Sequence, residues 1–163
     1  MYIRIILLWI GLFFTIQLSA QQTSPAAREL VGEWVITKVA TKLYAQDGGR
    51  LLDSRTIVSK DSIAMVRGFV PLSISFRMED CTIIHSYGVE AGKYTVRGND
   101  QLIYFRSQGL KPDNKPVTEG PSWEYHILNG IVLTINMPPG NYVDKQSKLP
   151  VKLVYTCYYE KKK

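Results

Sequence analysis

Few side chains in this sequence are of a type that performs chemistry. There are two histidines, His85 and His126, and two cysteines, Cys81 and Cys157. His85 shares a period-two face with Cys81, Ile83 and Tyr87. If that face points inward, the imidazole lines an interior and can hydrogen-bond a neighbour or a guest. His126 lies two residues from Glu124 on the polar side of its run, the pattern of a solvated surface pair. Glu79-Asp80-Cys81 with His85 offers metal-binding atoms, but not at the spacing of a closed zinc site, and successive strand residues diverge to opposite faces. The sequence has no Gly-x-Ser-x-Gly elbow and no phosphate-cradling glycine loop before a helix, so no nucleophile is set beside a base. These residues point to no catalytic site, no metal and no cofactor.

The elements that would position them read as short strands. Ser24 to Leu30 forms a helical turn, with Ser24 as cap, Pro25 at the first helical position and Gly32 as terminator. Strands are expected near 33–43, 51–58, 62–69, 72–78, 81–87, 92–97, 101–106, 122–128, 131–137 and 150–159. Leu72, Ile74, Phe76 and Met78 make one apolar face; Trp123, Tyr125 and Ile127 another; Ile131, Leu133, Ile135 and Met137 a third. Such alternation marks half-buried antiparallel strands. Asp47-Gly48-Gly49, Asn129-Gly130 and Arg97-Gly98-Asn99-Asp100 supply tight turns. Many short strands joined mainly by hairpins predict an up-and-down barrel or a sandwich. Residues 107–121 and 138–149, rich in Pro and Gly, read as long loops that would rim one mouth if alternate turns share an end.

The first residues carry an address. Arg4 precedes an apolar run from Ile5 to Ile16, and Ala20 suits the position before a cut. The run is short of the ~20 residues that span a bilayer, so residues 1–20 are expected to be a cleavable signal peptide. Residues 21–163 then form one exported domain, periplasmic or extracellular, with no further apolar run to hold it in a membrane. The formal charge is +6, and Lys161-Lys162-Lys163 make a basic tail. This mild basicity favours anionic partners without requiring them, and lacks the aromatic-lined basic groove of nucleic-acid binders. For Cys81 and Cys157 two readings stand. An oxidising compartment and an even count fit one disulfide; apolar strand surroundings fit two free core thiols.

Leu30-Val31-Gly32-Glu33-Trp34 carries a family resemblance. A Gly-x-Trp at the start of the first strand, after a short helical turn, resembles the lipocalin signature. The chain is similar to the lipocalin-like domains of exported bacterial proteins through Ile74-Ser75-Phe76, Gly92-Lys93-Tyr94-Thr95-Val96, Leu128 to Leu133, and Leu153-Val154-Tyr155. The resemblance implies an all-β fold: a single antiparallel up-and-down barrel of about eight to ten strands, with a short N-terminal helical turn. Gly32 would let the chain pass close to the barrel floor, and Trp34 would plug it. In lipocalins a basic residue near the C-terminus packs over this Trp. No Arg follows Arg106, so Lys161 or Lys162 takes that place.

In such a barrel the lining is expected to include Phe76, Met78, His85, Tyr94, Tyr104, Trp123, Tyr125, Leu133 and Tyr155. Aromatic walls with a few polar tips make a small-molecule site, and the same residues can instead fill the barrel. Two functions follow. One is an exported carrier of a small hydrophobic or amphipathic molecule. The other is a filled scaffold that meets a protein or surface through residues 107–121 and 138–149.

Overall fold

Two long strands form the spine of the molecule, which is described here from a computed structural model covering residues 25–47, 49–65, 70–97, 99, 101–107, 122–145 and 147–163. Strand β1 (Gly32–Ala45) pairs antiparallel with β10 (Pro150–Lys161), from Trp34 opposite Lys161 to Ala45 opposite Val151. Both are rich in Val, Tyr, Thr and Leu, residues suited to a pleated surface.

The other edge of each strand is shared between two partners. The start of β1 pairs with β3 (Ser73–Phe76), and its later part with β2 (Leu51–Ile57). Likewise β10 pairs with β8 (Val132–Asn136) and then with β9 (Gly140–Val143). Between β3 and β8 run β4 (Asp80–His85), β5 (Gly88–Arg97), β6 (Leu102–Ser107) and β7 (Ser122–Leu128), each antiparallel to the next. The β1–β10 pairing closes eight strands into a barrel, as the sequence predicted. Strands β2 and β9 extend the spine beyond it.

One end of the barrel is sealed. Helix α1 (Pro25–Leu30) lies there with Leu30 fully buried. Trp34 is also fully buried, and its Nε1 donates to the Leu30 carbonyl at 2.7 Å. Gly32 has φ +135°, and a Cβ there would lie 2.5 Å from Lys161 Cε. That contact exists because Lys161 crosses the floor to place Nζ 5.1 Å over the Trp34 ring. Lys161 is thus the basic residue that the resemblance required; Lys162 instead pairs with Glu33 at 3.2 Å. Gly92 has a parallel role on the wall, since a Cβ there would strike the Arg106 carbonyl and the Phe105 ring.

Three expected features differ. Residues 62–69 do not begin a strand; Lys60–Met65 is helix α2. The Ile63 amide donates to Ser59 O at 2.8 Å, and Asp61 occupies the first turn, where an acid complements the helix dipole. Ile63 is the buried residue of α2 and joins the core with Val70. The stretch 138–149 contains β9, whose residues are all exposed and so carry no burial alternation. Strand β5 begins at Gly88, ahead of the expected 92. The signal segment 1–20 and residues 108–121 lie outside the described residues.

Because Trp34 is the largest fully buried side chain at the floor, Trp34→Ala is expected to cost about 3–5 kcal/mol of stability. Lys161→Met is expected to cost under ~1 kcal/mol, the scale of one cation–π contact. Urea denaturation of residues 21–163 measures both.

Candidate functional site

The inward positions of the barrel follow from register. Cys81, Ile83 and His85 alternate inward on β4: these three are buried and the residues between them are less so. Across the hairpin, Cys81 faces Gly92, Ile83 faces Glu90 and His85 faces Gly88. Glu90, Gly92 and Tyr94 therefore share the inner face of β5. Up-and-down topology puts the β4–β5 hairpin at the end opposite Trp34. The β1–β2 and β9–β10 turns lie at that far end too, as do Ser107 and Ser122, which flank 108–121.

Of the nine expected lining residues, seven are inside. Phe76, His85, Tyr94, Trp123, Tyr125, Leu133 and Tyr155 are all buried, and all but His85 belong to one apolar cluster. Phe76 and Tyr94 meet edge to face at 4.9 Å. Trp123 stacks with Phe105 at 6.3 Å, an inward ring absent from the expected set. Two residues are corrected. Met78 is 69 % exposed, because β3 ends at Phe76 and a turn follows in which Arg77 and Asp80 exchange backbone hydrogen bonds. Tyr104 points outward beneath Arg97, whose guanidinium carbon is 5.5 Å from the ring centroid. Leu102-Ile103-Tyr104-Phe105 is apolar at both parities, so sequence could not set the phase; Ile103 and Phe105 are the inward pair.

His85 is the buried polar residue of this interior, 7 % exposed. It closes β4, and its ring stacks on Tyr87 with centroids 4.9 Å apart. Among the described residues, neither ring nitrogen has a hydrogen-bond partner. Nε2 lies 3.6 Å from Glu90 Oε2, too long for a hydrogen bond. Tyr94 Oη is buried and unpartnered as well. Burial first, then the nearby Cys81, pushes the Tyr94 phenol up to about 12. A buried polar group without a partner costs about 1–3 kcal/mol. Elsewhere the interior satisfies its polar atoms: Tyr159 Oη donates to Pro71 O at 3.1 Å. Glu90 went unassigned in the sequence because it preceded the expected strand; its period-two relation to Gly92, Tyr94 and Val96 was the available signal.

Other groups are dispersed. His126 Nε2 is 3.9 Å from Glu124 on the outer face, both side chains about half exposed. Asp80 is exposed, and Glu79 pairs with Lys93 at 3.2 Å. Among the described residues no three His, Cys, Asp or Glu side chains gather around a common point. An open cleft of about 600 Å³ lies along β5 and β6 beside Lys93, Arg97, Tyr104 and Arg106. Among the described residues no helix is long and apolar enough to cross a membrane.

Cys81 and Cys157 are both buried and both free. The disulfide reading is thereby corrected. Cys81 pairs across to Phe76 and Gly92, whereas Cys157 pairs to Val39 and Ile135, on a separate part of the wall. Burial pushes each thiol up to about 12; Glu90 adds to the rise at Cys81, and a hydrogen bond with Tyr159 opposes it at Cys157.

Comparison with protein-family models, with curated proteins and with solved structures found no match. The function must be argued from the barrel itself.

The thiols give a test of the interior. Raised folded-state values mean that the native state keeps its thiol protons while unfolded chains lose theirs. Their stabilising effect is complete below the ordinary value of 9.0 and is lost as pH rises toward about 12. Stability should fall above pH 9 by up to about 1.4 kcal/mol per pH unit per thiol. Iodoacetamide at pH 8 should label neither thiol in the folded protein and both in urea, as read by intact mass. A native mass two hydrogens short would contradict the free-thiol arrangement.

Proposed function

We propose that this chain is an exported, lipocalin-type barrel that holds a small amphipathic molecule at the far end of its interior. The polar end of the molecule meets His85, and its body lies against the aromatic walls. The carrying observation is His85 itself: 93 % of it is withdrawn from solvent while, among the described residues, neither ring nitrogen has a hydrogen-bond partner. A guest that hydrogen-bonds the ring offsets that cost.

Surroundings support the reading. Tyr87 is exposed at the same end with its ring stacked on the imidazole, an aromatic neighbour to a polar anchor, as small-molecule sites commonly combine. Trp34, Leu30 and Lys161 seal the other end, so a guest enters from one side. The signal-like residues 1–20 support export to the periplasm or beyond. The proposed role is binding, with no chemical step, no resident cofactor, no nucleic acid and no membrane-spanning segment in the mature chain.

A second reading has its own observation. The apolar cluster is continuous from Trp34 to Tyr155 and includes Ile63 and Val70 from the segment between β2 and β3. A barrel filled in this way serves as a scaffold whose far-end loops contact a partner.

Native mass spectrometry of the mature protein, purified from its own host without denaturation, separates the two. The carrier reading predicts an additional mass that leaves on mild activation and is absent from His85→Leu. A protein-only mass in both forms, with no thermal stabilisation across a panel of lipids and small aromatics, overturns the carrier reading in favour of the scaffold.

A further inference from the structure

Resting on the carrier reading above, we infer that the far-end site selects molecules with a cationic, hydrogen-bond-donating head, of the primary ammonium class, on a compact apolar body. The inference comes from what surrounds the unpartnered imidazole. Glu90 places Oε2 3.6 Å from His85 Nε2, and the two residues share the inner face of the β4–β5 hairpin. The Glu90 side chain is 38 % exposed, so it is reachable from the far end. Tyr87 is exposed, with its ring stacked on the imidazole. Each group can offer negative potential or a lone pair to an arriving head: a carboxylate, a ring nitrogen and an aromatic face.

Among the described residues, no Lys or Arg is ion-paired with Glu90. Among the described residues, the inward positions of β3, β4, β5 and β6 hold no Lys or Arg. Lys161 is committed to Trp34 at the sealed end. Arg55, on the extension of the spine, is tied to Asp53 at 2.8 Å. A carboxylate or phosphate head would therefore meet Glu90 without compensation. An ammonium head donates to Glu90 and to the imidazole nitrogen together, using the atoms that the fold leaves unpaired. Its charge-assisted bonds are the stronger kind. The aromatic rings of Tyr94, Phe76, Phe105 and Trp123 farther in favour an aromatic or short alkyl body.

The test uses three probes with one body and three heads: 2-phenylethylamine, 2-phenylethanol and phenylacetate. Each is titrated into the full mature chain and into Glu90→Gln, with calorimetry for affinity and imidazole ¹⁵N shifts for location. The chain has two histidines, and His126 on the outer face serves as internal control. The expected result is a shift at His85 and not at His126, with the amine binding about tenfold or more tighter than the carboxylate. In Glu90→Gln that preference should shrink to about twofold or less, while 2-phenylethanol still binds as in the parent. Equal binding of all three heads in the parent, or preference for phenylacetate, overturns the head-group inference and leaves the carrier reading standing. If no probe moves the His85 nitrogens in either form, both fall.

Discussion

The pairing of β1 with β10 is the constraint on which the rest of the molecule depends. It joins the two ends of the sequence over the full length of both strands. Without it the sheet would be open, with two long edges ready to pair with other chains. With it, eight strands enclose one interior, and every second side chain is committed to that interior. The same pairing brings Lys161 to Trp34, because those two residues face each other at one limit of the register. The floor of the barrel and its closure are therefore one event. Closing the longest loop in the chain carries the entropic cost of a distant contact, and the burial of Trp34, Ile36, Tyr159 and Cys157 along that seam offsets it.

The interior is graded along its axis. Near Trp34 its polar groups are satisfied: the indole N–H has the Leu30 carbonyl, and Tyr159 has Pro71 O. At the far end, His85 is enclosed yet unpaired, and Glu90 stands beside it at a distance longer than a hydrogen bond. A polar residue placed where an apolar one would pack at no cost is a local conflict with the fold, and such conflicts concentrate at sites of function. The Cys81 and Cys157 thiols show the contrast. They are equally buried but behave as small apolar residues, their ionisation suppressed by the same core.

Much of this was readable from alternation. Strands β3, β7 and β8 carry clean period-two faces, so Phe76, Trp123, Tyr125 and Leu133 were assignable to the interior. Gly32 and Trp34 marked the floor. What escaped had physical reasons. Met78 continued the apolar period of β3, but the hydrogen bonds of the following turn stop the strand two residues earlier. Tyr104 sat in a run apolar at both parities. The Ile63 segment had too few residues to distinguish one buried helical position from a strand. Glu90 belonged to an extension of β5 that the hairpin imposes through pairing with Ile83, a contact no local pattern records. The separation of the two cysteines is a property of closure and has no local signature.

The central claim is that the far end of the barrel is completed by a bound molecule at His85. A crystal structure of the mature protein taken from its own host tests it most directly, through the electron density at the two imidazole nitrogens. The account predicts continuous, non-protein density within hydrogen-bonding distance of at least one nitrogen, extending inward toward the aromatic walls. A His85 ring turned out to solvent, or enclosed by protein side chains that pair both nitrogens, would contradict it.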